Sequence, residues 1–102
     1  MDKKVFRSAA DVRRAIVVGV KVKVERYLDG VLQYRDEVPR IVVHVQSNSF
    51  CLASKEDAPR GEWGWMDWPK ASELSYPKPG QFAVDRGDRR MVFSVWSEGA
   101  SS

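Results

Sequence analysis

The sequence predicts an α+β domain. A short N-terminal helix leads into a curled antiparallel sheet or small SH3-like open barrel of about five to seven strands, with a short helical turn near residues 69–74. Three observations carry this prediction. Ala9, Val12 and Ile16 recur at helical spacing. From Val18 the apolar period drops to two. Asp29-Gly30 then supplies a strong hairpin signal, because both central positions of a type I′ turn need positive φ. The 102 residues suit one globular domain spanning 1–102, with fraying expected at 1–7 and 97–102.

The helix is expected over "SAADVRRAI", residues 8–16. Ser8 is a fitting N-cap, since its hydroxyl can accept from an unpaired first-turn N–H, and Asp11 suits the positive helix start. Arg13 and Arg14 stand near the negative end. In "VGVKVKVERY" Val18, Val20, Val22 and Val24 should point inward, with Lys21, Lys23 and Glu25 outward.

"VLQYRDEV" reads as the return strand, interrupted by Pro39, which cannot donate to a ladder. "RIVVHVQ" reads as a third strand with Ile41, Val43 and Val45 on its core face, and "FCLAS" as a fourth. "EWGWMDW" reads as a fifth, after which Pro69 opens the short helix "PKASEL". Pro79-Gly80 suits the centre of a type II turn, and "QFAVDRGDRRMVFSVW" a closing hairpin about Gly87.

Composition narrows the function classes. Charged residues make up 30% and apolar residues 43%, a globular balance. The longest apolar run, "AIVVGV", is far short of the ~20 residues of a membrane helix, so no membrane association is expected. With one Cys and no secretory pattern at the N-terminus, the expected location is cytoplasmic. One His and one Cys are too few for a Cys/His zinc site, and no cofactor or metal is expected. His44 and Cys51 are the only base–thiol pair in the chain. Both fit strand positions better than catalytic ones, so no enzymatic activity is expected. The "RGD" at 86–88 reads as a charged hairpin tip.

The net charge of +3 is unevenly spread. Residues 1–26 hold eight Lys/Arg against three acids, and the remainder nine against eleven. A basic quarter beside aromatic side chains points to nucleic-acid binding, DNA or RNA, with Arg13, Arg14, Lys21, Lys23, Trp63 and Lys70 as the candidate contacts. The alternative is a protein-interaction module, an inhibitor or adaptor of a larger complex such as a phage or mobile-element accessory protein. Trp, Tyr, Arg and Met dominate interface hot spots. Trp63, Trp65 and Trp68 cannot share one platform in an extended strand. Trp63 and Trp65 should face one way and Trp68 the other, with Trp63 the exposed ring.

Overall fold

The computed structural model describes residues 5–55 and 57–96. One helix, α1 (Ala9–Ala15), packs on an antiparallel sheet of β1 (Lys21–Leu28), β2 (Val31–Arg35), β3 (Arg40–Val45), β4 (Ser49–Ala53), β5 (Gly64–Asp67), β6 (Leu74–Ser75), β7 (Gln81–Arg86) and β8 (Arg89–Trp96). The strand order is β5-β4-β3-β1-β8-β7-β6, with β2 also paired to β1. The sheet is open, since β5 and β6 end the path without pairing to each other. The eight strands exceed the expected five to seven. Part of the excess is β6, two residues inside a stretch read from sequence as helix and connector.

β1 is the hub. It pairs with β8 along its whole length, with β3 through Lys21↔Ile41 and Val22↔Arg40, and with β2 through residues 25–28. β2 and β3 therefore share one edge of β1, and the ladder opens between them. Asp36 fills the opening: its N–H donates to Val24 O at 3.0 Å, and its carboxylate accepts from Val24 N at 3.0 Å. One residue, through its backbone N–H and its carboxylate, thus replaces a missing ladder partner, leaving no buried backbone group of Val24 unpaired.

Several local expectations hold. Ser8 caps α1, its Oγ accepting from Asp11 N, while Asp11 Oδ2 accepts from Arg7 N. Asp29 and Gly30 turn the first hairpin with φ of 51° and 80°, the sign pattern of a type I′ turn. Gln81 N donates to Lys78 O, closing the turn at Pro79-Gly80. β7 and β8 close the chain around Gly87-Asp88.

Others are corrected. Val18 is exposed, because the chain turns at Gly19 (φ 99°) before the ladder begins, so the inward set is Val22 and Val24 with Val20 half-buried. On β3 the core residue is Val42, not Ile41, Val43 or Val45. The register Val22↔Arg40 places even-numbered residues on the core side, and a bulge follows Val42. β5 begins only at Gly64, because Arg60–Glu62 form a 3₁₀ turn. The helix expected from Pro69 shrinks to a 3₁₀ turn at Ala71–Glu73, entered through Lys70, whose N–H donates to Glu73 Oε1. Phe6, placed in the fraying segment, is 3% exposed and meets Phe82 edge-on at 5.5 Å. The fraying expected at 1–4 and 97–102 lies outside the described residues.

The core lies between α1 and one sheet face: Val12 from the helix and Ile16 from its C-cap, Val22, Val24, Val42, Phe50, Leu52, Phe82 and Phe93 from the strands. Phe82 and Phe93 stack at 4.8 Å, and Trp68 packs on Phe50 at 4.7 Å. The large apolar area removed from water here is what holds α1 to the sheet.

Candidate functional site

The sequence-predicted contacts are not on one surface. Arg13 lies on α1 with its guanidinium 5.0 Å from the Trp68 ring centroid and donates to Ser47 O, bracing helix to sheet. Arg14 pairs with Asp11 one turn back. Lys21 and Lys23 project from β1 on the face opposite the core. Lys70 is exposed beside the 3₁₀ turn. Trp63 is half-buried: its Nε1–H donates to Ala58 O at 3.0 Å, and Arg60 lies over its ring. The most exposed of the three rings is Trp65, 46% accessible, rather than Trp63. Trp63 was expected to lie free at the edge of a polar loop, but that loop turns back under it and takes its ring nitrogen. Trp68, 9% exposed, belongs to the core and donates from Nε1 to Gln46 O.

A stronger cationic concentration sits at the hairpin end of the sheet. The turns of β1–β2 and β7–β8 lie side by side, Asp29 N donating to Asp88 O at 2.8 Å. Directly paired residues of an antiparallel sheet share a face. The register therefore continues the core face outward in two rows, Arg26–Met91–Val84 and Leu28–Arg89–Arg86. The apolar cluster of Val12 on α1 and its C-cap Ile16 takes in the earlier rows of β1 and β8, Val22–Val95 and Val24–Phe93, and reaches Val84 and Met91 of the first outer row. In these two outer rows Arg26, Leu28, Arg86 and Arg89 are exposed.

The two rows supply Arg26, Leu28, Val84, Arg86, Arg89 and Met91 to a groove of about 430 Å³, which Gln33 also lines, together with Tyr27 and Arg90 from the row Tyr27–Arg90–Asp85 of the other face. Among the described residues no carboxylate lines it. Two of the arginines are partly neutralised from outside: Arg86 Nε donates to Glu73 at 3.0 Å and Arg90 Nε to Asp85 at 2.6 Å. The Lys70 N–H, with Arg86, holds the Glu73 carboxyl below the ordinary range, and the Arg90 hydrogen bond does the same for Asp85. Both carboxylates therefore stay ionised at neutral pH and are already occupied. Arg26 lies 5.6 Å from the Tyr34 ring centroid, and Arg89 makes no ion pair among the described residues.

The hairpin carrying Arg26 is held in place by Asp36. This side chain, 4% exposed, accepts from Arg40 Nε at 2.9 Å and from the Tyr34 hydroxyl, besides Val24 N. Burial alone would push its carboxyl up, but the Arg40, Tyr34 and Val24 hydrogen bonds outweigh that and hold it below the ordinary aspartate range.

The opposite face of the same hairpins is different in kind. A recess of about 700 Å³ there mixes Glu25, Asp29, Asp85 and Asp88 with Arg35 and Lys78 and with Arg89 and Arg90, which line both recesses, and Arg35 pairs with Glu25 at 2.6 Å. Charges of both signs at close range cancel its field. A third recess, about 470 Å³, lies at the β4–β5 end of the sheet, lined by Gln46, Ser49, Trp65, Met66, Asp67 and Arg86. The His44 ring meets Trp65 edge-on at 5.4 Å. His44 and Cys51 are cross-strand partners, but Cys51 is fully buried and burial pushes its thiol pKa up, which disfavours the thiolate.

Arg86, Arg89 and Arg90 were legible in the sequence only as a charged turn. The overlooked signal was Arg26. It follows Val22 and Val24 at the same spacing, so it is a cation on the core stripe of a strand, where burial forbids it unless the stripe has run past its cover. No protein-family model, curated protein or solved structure matches the chain.

Proposed function

We propose that the chain is a non-catalytic binding module that grips nucleic acid through the arginine-lined groove at the hairpin end of its sheet. One observation carries this reading: four arginines and, among the described residues, no carboxylate line a concave surface, while the neighbouring recess on the other face, which shares Arg89 and Arg90, mixes both signs. Guanidinium groups offer phosphate a planar, bidentate set of donors, and the apolar lining accommodates sugar or base. Of the basic N-terminal quarter only Arg26 takes part. Lys21 and Lys23 on the opposite face add to the general field.

The test is a titration of labelled oligonucleotides at several salt concentrations. If two to four phosphates are neutralised, the logarithm of affinity should fall with the logarithm of salt with a slope of about 1.5–3.5, at ~0.7–0.9 per phosphate. The double variant Arg26→Glu/Arg89→Glu, both positions exposed, should flatten that slope and weaken binding to every sequence alike. Absence of salt-dependent affinity for single- or double-stranded DNA or RNA at low salt would overturn the reading.

A second reading, a protein partner, is favoured by one feature: Val31, Leu32, Tyr34 and Val38 expose apolar surface along the outer edge of the first hairpin. A stoichiometric protein complex abolished by Leu32→Glu, with no nucleic acid bound, would favour it over the first.

A further inference from the structure

We infer that the nucleic acid is bound as a single strand, whose path runs from the groove past Arg86 to Trp65, where an unpaired base stacks. This rests on the nucleic-acid reading above and adds the form of the ligand and its path. Arg86 lines both the arginine groove and the Trp65 recess, so the two concavities are neighbours joined by one side chain.

Their chemistry divides the labour. The groove is cationic and suits phosphates. The second recess brings a carboxylate, Asp67, together with the Gln46 amide, the Ser49 hydroxyl and an indole. Asp67 repels a phosphate but accepts from the amino group of a base, and Gln46 both donates and accepts. An aromatic ring beside such groups is a site for a base, not for a backbone. A duplex keeps its base faces stacked inside and presents mainly phosphates at such a contact, so it can use the groove alone. A single strand can use both recesses.

Trp65 is the ring placed to do this. Trp68 is enclosed in the core, and the Trp63 ring lies against Arg60 with its nitrogen committed to Ala58. Trp65 keeps 46% of its surface accessible while the ladder Cys51↔Trp65 and the His44 edge hold it in place. Stacking on a ring already fixed loses little side-chain entropy.

The experiment compares fluorescence anisotropy of a labelled homopyrimidine strand and of its duplex, on wild type and on Trp65→Ala, Trp65→Leu and Trp65→Phe. The expected result is tighter binding of the single strand than of the duplex. Trp65→Ala and Trp65→Leu should weaken single-strand binding by about tenfold and leave duplex binding within about twofold, and Trp65→Phe should retain most of the affinity. Leu keeps the apolar bulk, so a loss shared by Ala and Leu but not Phe reports stacking and not unfolding. Equal affinity for both forms, or equal losses for both in the Trp65 variants, overturns the single-strand path and leaves the groove reading intact. Binding of neither form by wild type overturns the groove reading itself. Polyglutamate that binds wild type as tightly, charge for charge, as the single strand does would show that the surface reads charge alone, as an acidic protein segment would supply it, and would likewise overturn the stacking path.

Discussion

Replacing Asp36 by Ala should cost the fold about 3 kcal/mol, and the figure can be worked from its surroundings. Three donors converge on the carboxylate: Val24 N at 3.0 Å, Arg40 Nε at 2.9 Å and the Tyr34 hydroxyl. A hydrogen bond to a charged group contributes ~1.5–3 kcal/mol, but the three cannot simply be added. Tyr34 is 42% exposed and the Arg40 side chain 30% accessible, so both partners regain water when Asp36 is lost. Their share falls to about 1 kcal/mol together. The Val24 N–H has no such recourse: Val24 is 3% exposed, and leaving its donor unpaired costs ~1–3 kcal/mol. A total near 3 kcal/mol lowers the melting temperature of a domain this size by roughly 15 °C.

The pH dependence adds a second readout. The folded-state carboxyl is held below its unfolded value, so the stabilisation is fully present above the unfolded pKa of about 3.9 and disappears as pH falls through the folded value. Wild type and Asp36→Asn should therefore differ in urea midpoint at pH 7 and converge as the pH is taken well below 4. A gap that stays constant down to strongly acidic pH, or a cost for Asp36→Ala under about 0.5 kcal/mol, refutes the reasoning.

The three neighbouring tryptophans should separate by urea denaturation. Trp68→Ala should cost about 3–5 kcal/mol, Trp65→Ala under about 1, and Trp63→Ala an intermediate amount for its bond to Ala58; equal losses would place all three in the core. Gly30→Val should cost about 1–2 kcal/mol through its φ of 80° alone, since no atom lies within 4 Å of the added Cβ, and Gly30→Asn should cost markedly less in the same assay. Cys51 should react with a chromogenic thiol reagent only as fast as the protein opens, because it is fully buried and burial raises its thiol pKa. Rapid labelling of the native protein at neutral pH would contradict that placement.

Where structure depends on neighbours in the chain, the sequence was sufficient. The Ser8 cap, the Asp29-Gly30 and Pro79-Gly80 turns and the period of β1 each arise from groups a few residues apart, so side-chain chemistry and backbone φ preferences determine them. The face of β3 was not determined in this way. Ile41, Val42, Val43 and Val45 are all apolar, and only the pairing of Val22 with Arg40 decided that Val42 turns inward. The Trp63 ring likewise depended on Ala58 reaching back to it. The candidate site lies wholly in this second category. Arg26 lies some sixty residues from Arg86 and Arg89, and each alone reads as an ordinary solvated charge. The register of β1 on β8 and of β8 on β7 aligns them on one face, beyond the rows whose apolar side chains meet α1. Local chemistry therefore wrote the helix and the turns, while long-range strand pairing gathered the arginines and left their groove open to a ligand.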